Sequence, residues 1–195
     1  MNLSELHLRR RLTDHEPQLV AKKPDTPHAA VAIILRESGI SPQVLLIRRT
    51  SKPHDPWSGH MAFPGGRQDA TDRDLLHTAQ RETLEEVGID LAEHGEVLGR
   101  LDDVQAISRA RPMDLVIVPH IFVLRRDVPL TLQESEVAEA LWVPISPMGR
   151  GESDCTRPYE MAGRRLLLPG YQVGPHVVWG LTYRMLQLLF DLASA

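Results

Sequence analysis

Short apolar runs divided by turn-forming residues set the pattern of this chain. Ala30 to Arg36 and Gln43 to Arg49 are β-branched or Leu-rich, and Glu37-Ser38-Gly39 parts them, which predicts two strands and a turn. Val97 to Val104, Leu115 to Leu124 and Ala140 to Ile145 read as further strands, with Pro112, Pro119, Pro129 and Pro144 at ends or edges. The period changes between Asp74 and Val87. There Leu75, Leu76, Ala79, Thr83 and Val87 recur at helical spacing, no Gly or Pro interrupts, and Gly88 supplies a stop. A second helix is predicted over Val178 to Leu192, where Leu181, Met185, Leu188, Leu189 and Leu192 form a stripe suited to packing on a sheet. Pro147 to Arg165 follows neither period and is expected to be irregular. Without regular βαβ alternation, the mixture points to a layered α+β fold.

Pro17, Pro24 and Pro27 punctuate the start of the chain, after a leucine-bearing segment, Leu3 to Leu12, that suits one helix. The compact domain is therefore expected over residues 28–195, with residues 1–27 as a surface arm. At 195 residues, 42% hydrophobic and 25% charged, the chain has the composition of one globular domain with a sizeable core, which excludes disorder as its main state. Its 22 Lys and Arg against 26 Asp and Glu leave a net charge of −4, which argues against a nucleic-acid partner held by general basicity. The longest apolar stretches, Ala29 to Leu35 and Leu115 to Pro119, fall far short of the roughly 20 residues of a membrane helix, so no membrane partner is expected. Arg9, Arg10 and Arg11 lack an apolar stretch behind them, so no secretory leader is expected. Cys155 stands alone, an incidental thiol that excludes an internal disulfide and a Cys-rich zinc site and suits a reducing cytoplasm.

Negative charge gathers in one place. Residues 65–90 hold seven acids (Asp69, Asp72, Asp74, Glu82, Glu85, Glu86, Asp90) and three bases (Arg67, Arg73, Arg81), a balance of −4 that equals that of the whole chain. On a helix Glu82, Glu85 and Glu86 share one side, and like charges so placed destabilise a bare helix by a few tenths of a kcal/mol per pair. Either the face is simply solvated, with Arg81 in local ion pairs, or a cation compensates it. Clustered carboxylate oxygens suit a hard divalent ion such as Mg²⁺, which binds through one or two carboxylates plus substrate phosphates.

The Gly65-Gly66 turn followed by Arg81-Glu82-Thr83-Leu84-Glu85-Glu86-Val87-Gly88-Ile89 resembles the Nudix box. Arg81, Glu82, Glu85, Glu86, Gly88 and Ile89 fall on its pattern, Thr83 replaces an apolar residue, and Asp72 stands, one residue out of register, where the box has Glu. The resemblance implies an α/β/α sandwich around a mixed sheet and hydrolysis of a nucleoside diphosphate linked to another group, with Mg²⁺ or Mn²⁺ as cofactor. It implies Glu82 and Glu86 as metal ligands, and Glu85 as a ligand to a second ion or the acceptor of the water proton. Arg81 would orient these glutamates. Where a later loop supplies the base, Glu134, Glu136 and Glu139 are the local candidates, with Glu136 the one preferred.

Residues 45 to 66, from Leu45-Leu46-Ile47-Arg48-Arg49 to Phe63-Pro64-Gly65-Gly66, and Val178-Trp179-Gly180-Leu181-Thr182 further on, resemble the coenzyme A pyrophosphatase branch of that family. Trp57 stands where that branch usually has His. This resemblance implies cleavage of coenzyme A, with ADP-ribose or a nucleotide sugar as alternative substrates and a non-catalytic nucleotide-binding domain as a different class of role. Arg48, Arg49, His60, Gly65 and Gly66 are the candidate substrate contacts, since guanidinium forks suit phosphate oxygens. A homodimer is a further expectation of the resemblance. Trp142 and Trp179, amid apolar neighbours, read as core, and the scattered His28, His54, His94, His120 and His176 as surface or capping residues.

Overall fold

The apolar runs are continuous because both faces of the strands they form are covered. A computed structural model describes residues 2–21, 26–39, 41–53, 55, 57–106, 115–161 and 163–195. In chain order its elements are α1 (Glu5–Thr13), β1 (His28–Arg36), β2 (Gln43–Arg49), β3 (Met61–Ala62), β4 (Gly65–Arg67), α2 (Leu75–Val87), α3 (Leu91–His94), β5 (Gly95–Arg100), β6 (Val104–Ala106), β7 (Leu115–Leu124), β8 (Val137–Pro144), α4 (Ser146–Gly149), β9 (Asp154–Met161), β10 (Arg164–Val173), β11 (His176–Trp179) and α5 (Gly180–Ser194). The expected breaks at Pro24 and Pro112, and His54, lie outside the described residues.

Among the described residues, β1 to β8 form one mixed sheet in which β3, β2, β1, β7 and β5 lie side by side, with β8 on β2, β4 on β1 and β6 on β7. The β1–β7 pair is parallel and the other pairs are antiparallel. Successive residues of a strand face opposite sides. Ala29, Ile33 and Leu35 of β1 join Val44 and Leu46 of β2 in a core covered by α1 and α5, while Ala30, Ala32, Ile34, Leu45 and Ile47 join Ala79 and Val87 of α2 on the other side. The result is the expected α/β/α sandwich.

Two expectations change. Residues 3–12 are not a surface arm, because Leu3, Leu8 and Leu12 enter the core beside α5, Leu8 completely. Arg11 donates to the carbonyl of Leu192 and His7 Nε2 lies 3.0 Å from that of Ala193, which brings basic side chains to the unsatisfied carbonyls that end α5. Nor is Pro147 to Arg165 irregular. It contains most of α4, all of β9 and the start of β10, and β9, β10 and β11 form a separate antiparallel sheet. Most of β9 is exposed, so it buries no apolar stripe and carries no alternating signal.

His120 is neither a surface nor a capping residue. It lies in β7 opposite Ala32, 9% exposed, and its Nε2 has no hydrogen-bond partner among the described residues. Burial, aided by the Arg100 charge, pushes the imidazole pKa down to about 4. A histidine depressed below its unfolded value near 6.5 stabilises the fold above pH 6.5, and that contribution drains away as pH falls toward 4. In urea titrations, wild type should therefore lose up to about 3 kcal/mol more than His120→Gln between pH 6.5 and 4, and parallel pH curves would contradict this.

Candidate active site

Helix α2 is fixed at both ends by its own sequence. The Asp74 carboxylate accepts from the N–H of His77 at 2.7 Å, and Gly88 closes the helix in the left-handed region at φ 73° with its N–H on Leu84 O at 3.0 Å. The next orphan carbonyls are taken by a loop rather than by water. Thr131 N–H donates to Val87 O at 2.9 Å and Gln133 N–H to Glu86 O at 3.0 Å. A side chain at position 88 would meet Thr131 Cβ at 2.9 Å, so glycine is needed for the loop to dock. The docked loop carries Glu136 to the same cavity as Glu82 and Glu86.

The Gly65-Gly66 turn is shaped around carboxylates. Gly65 pairs with Val31 of β1, and a Cβ on it would lie 2.3 Å from Ala30 O. Its N–H donates to Glu86 Oε2 at 2.9 Å. A Cβ on Gly66 would lie 2.5 Å from the carboxyl carbon of Glu82. Both glycines line the cavity, and each also makes room for, or bonds, one of the two glutamates.

Arg81 gathers the acids of this region. Its Nε and Nη2 grip Asp72 at 2.9 and 3.0 Å, its Nη1 reaches Glu82 and Glu85 at 2.9 and 3.0 Å, and Nη2 also donates to the carbonyl of Arg67. Asp72 has a fully buried carboxylate that accepts further bonds from Thr78 Oγ1 and the N–H of Asp69. The Arg81 bonds, foremost, hold its carboxyl well below the usual carboxylate range against the opposing effect of burial. The shorter acid thus reaches the arginine across the extra residue of this box.

Glu82 and Glu86, one turn apart, face inward, whereas Glu85 lies a third of a turn round the helix. Glu86 is only 2% exposed. Burial pushes its pKa up to about 8, the Glu82 and Glu136 charges add to that, and the Gly65 N–H and Arg49 oppose it. Burial also raises Glu82, against the pull of Arg81. The Glu85 side chain is 56% exposed, pairs with Arg81 and lines no part of the cavity, so the three glutamates do not converge. Among the described residues no three His, Cys, Asp or Glu side chains are grouped as a metal site. The donor set still fits a hard divalent ion: two desolvated carboxylates stand side by side, with Glu136 near enough to raise both pKa values, and Arg81, Arg49 and the Gly65 N–H compensate them only in part.

The cavity, about 350 Å³, is lined by Glu82, Glu86 and Glu136, by Arg49, Arg67 and His60, and by the rings of Trp57 and Trp179. Adjacent strand residues point to opposite faces, and a register shift falls between Arg48 and Arg49. Arg49 accordingly lines the cavity, its Nη2 on Asp55 at 3.1 Å and its buried Nε without a partner among the described residues, whereas Arg48 pairs with Glu139 at 3.3 Å and lines no part of the cavity. Glu139 is held by both Arg48 and His176, and Glu134 does not line the cavity. Trp142 is half-buried with the Arg36 guanidinium 4.2 Å over its ring. Trp179, expected in the core, is a half-buried cavity wall. Its position at the junction of a strand and Gly180 is the one sequence feature that marks it as an edge residue.

Comparison with known proteins agrees with this geometry. Residues 26–156 match the NUDIX domain model. The chain belongs to that family. It is 32% identical over 193 residues to a human protein named mitochondrial coenzyme A diphosphatase NUDT8, covering 97% of this chain and 78% of that one. It is 38% identical over 162 residues to the uncharacterized fission-yeast (Schizosaccharomyces pombe) protein C14C4.10c, covering 79% of this chain but spanning only about half of that protein, 48%. The fold matches the NUDIX domain of Shewanella oneidensis NrtR, solved with ADP ribose, with a TM-score of 0.53 at 17% identity, covering 98% of this chain and 97% of that one. Among the described residues no helix is long and apolar enough to cross a membrane.

Two substitutions separate support from chemistry. Gly66→Ala meets only the flexible end of Glu82, so the fold should keep its melting temperature within a few degrees while turnover drops at least tenfold; unchanged turnover would contradict the placement of Glu82. Asp72→Asn leaves Arg81 without its buried anion and should cost about 1.5–3 kcal/mol in denaturant titrations. A loss below about 0.5 kcal/mol, the size of an ordinary surface change, would contradict that role.

Proposed function

We propose that the chain hydrolyses the pyrophosphate bond of coenzyme A or its derivatives, giving adenosine 3′,5′-bisphosphate and 4′-phosphopantetheine, with Mg²⁺ or Mn²⁺ as cofactor. The observation that carries the chemistry is the pair Glu82 and Glu86, desolvated side by side in a cavity that also holds Arg49 and Glu136. The substrate rests on residues 45 to 66 and on the name of the human relative.

In this reading Glu82 and Glu86 hold the ion, and Glu85 is left to balance Arg81. When bound, the ion neutralises diphosphate charge and activates water. Arg49 binds a phosphate oxygen through the Nε that has no partner among the described residues. Glu136 accepts the proton of the attacking water, the new oxygen–phosphorus bond forms, and the bond from that phosphorus to the bridging oxygen breaks. His60 hydrogen-bonds the substrate as a neutral ring, since burial, then the Arg157 charge, lowers its pKa. Every residue named belongs to one chain, so the reading does not need the homodimer. The unpaired Cys155 suits a reducing compartment, either the cytoplasm or the mitochondrion named for the human relative.

Glu86→Gln should lower kcat at least 100-fold. It should also leave the metal-free protein no less stable at pH 8, because it removes a carboxylate that burial disfavours in its charged form. Full turnover by that variant in chelated buffer would overturn the mechanism. Product analysis over coenzyme A, ADP-ribose, NADH and nucleotide sugars tests the substrate. Strong preference for ADP-ribose would reassign it and leave the chemistry standing.

A further inference from the structure

Part of the cavity wall, including Trp179, comes from outside the family match, which ends at residue 156. Trp179 ends β11, and strand register sets it level with Gly170 of β10 and Cys155 of β9. Arg157 and Tyr159 follow Cys155 at intervals of two, so they share its face and that of Trp179. Between them stands Gly170, which has no side chain. The Arg157 guanidinium lies 4.9 Å over the Trp179 ring, Tyr159 packs at 5.4 Å and His60 at 4.6 Å from the same indole.

Of the cations at or beside the cavity, Arg67 and Arg157 are both exposed without a carboxylate partner among the described residues, and Arg157 is the one held over an aromatic ring. Arg49 is balanced by Asp55 and Arg81 by Asp72. An aromatic face orients a guanidinium without neutralising it. Its charge reaches the cavity, since it acts on His60, a lining residue. A positioned, unneutralised guanidinium beside a phosphate-binding cavity is an anion site, separate from Arg49 and from the acidic pair.

We propose that Arg157, held by Trp179, binds a phosphate group of the substrate other than the diphosphate under attack, and so selects nucleotides that carry a further phosphate on the ribose besides the one at the 5′ position. This deepens the functional reading above and rests on it for the identity of the substrate. Coenzyme A carries such a group at its 3′ position, and ADP-ribose does not. Because the site grips a spectator group, it acts on binding rather than on the reacting phosphorus.

The test compares wild type, Arg157→Gln and Arg157→Lys on coenzyme A and on 3′-dephospho-coenzyme A, and titrates each protein with adenosine 3′,5′-bisphosphate and with adenosine 5′-phosphate. Arg157→Gln should lower kcat/KM for coenzyme A about tenfold, through KM, with the dephospho compound unchanged, and should weaken the bisphosphate about tenfold and the monophosphate by less than twofold. Arg157→Lys should recover part of each loss. Equal effects on the two members of either pair would overturn the inference. If wild type cleaves neither coenzyme, the functional reading fails, and the titrations alone then support or overturn the anion site.

Discussion

Two like charges one helical turn apart are pressed together below the surface of this protein, and much of its architecture answers to that constraint. Glu86 is almost completely buried and Glu82 largely so. Neither sits in an ordinary ion pair that would explain its burial: Glu86 receives one backbone N–H, and Glu82 shares an arginine with two other acids. Charged groups this poorly compensated lower the stability of a protein that has nothing to gain from them. The fold nonetheless reserves space for both, with a glycine N–H aimed at one and a glycine surface under the other. Placing them there makes sense where a cation and a diphosphate complete the charge balance.

Holding such a pair still requires a second, fully compensated pair behind it. Asp72 and Arg81 supply it. Their bond is bidentate, Asp72 is shielded from solvent, and its remaining lone pairs are taken by Thr78 and a backbone N–H. Arg81 is therefore fixed by an acid that faces away from the cavity, and its remaining N–H groups set the rotamers of Glu82 and Glu85. The division of labour follows from burial: the satisfied carboxylate keeps a depressed pKa, while the unsatisfied ones are raised. The loop from Thr131 to Glu136 is coupled to the same helix end through Glu86 O and Val87 O, so Glu136 is tied to the helix that carries Glu82 and Glu86.

The long strands of the central sheet and both long helices were legible from periodicity, because each buries a stripe or a doubly covered strand; the short β3 and β4 were not, and the one strand expected over Val97 to Val104 is β5 and β6 with residues 101–103 between them. Strands β2 and β7 and helix α2 fall within a residue of expectation. What the pattern hides is different in kind. Arg48 and Arg49 look equivalent as adjacent letters, and only the alternation and register shift at that point send one to the cavity and the other to Glu139. Glu85 matches its motif position as well as Glu86 does, yet the helix turns it outward. The β9–β11 sheet is held mainly by its ladder and exposes most of β9, so no apolar rhythm announces it. His120 is a polar residue inside a run whose neighbours are all apolar or proline, and periodicity cannot distinguish that from a break in the strand.

The acidic pair and the cationic site proposed at Arg157 occupy different stretches of this chain. The charged groups that line the cavity, from Arg49 to Glu136, all lie within the family match, on the central sheet, on a helix with both ends fixed and on the loop docked to that helix. The aromatic and cationic wall comes from a separate antiparallel sheet whose outer strand is mostly exposed. An exposed strand tolerates exchange of side chains at little cost to the core, whereas any change beneath Glu82 or Glu86 meets backbone or a carboxylate within 3 Å. The physical consequence is that substrate preference can vary through β9 and β11 while the acidic pair stays as it is. A nucleotide that fits the cavity but lacks a group for Arg157 still meets the same two glutamates.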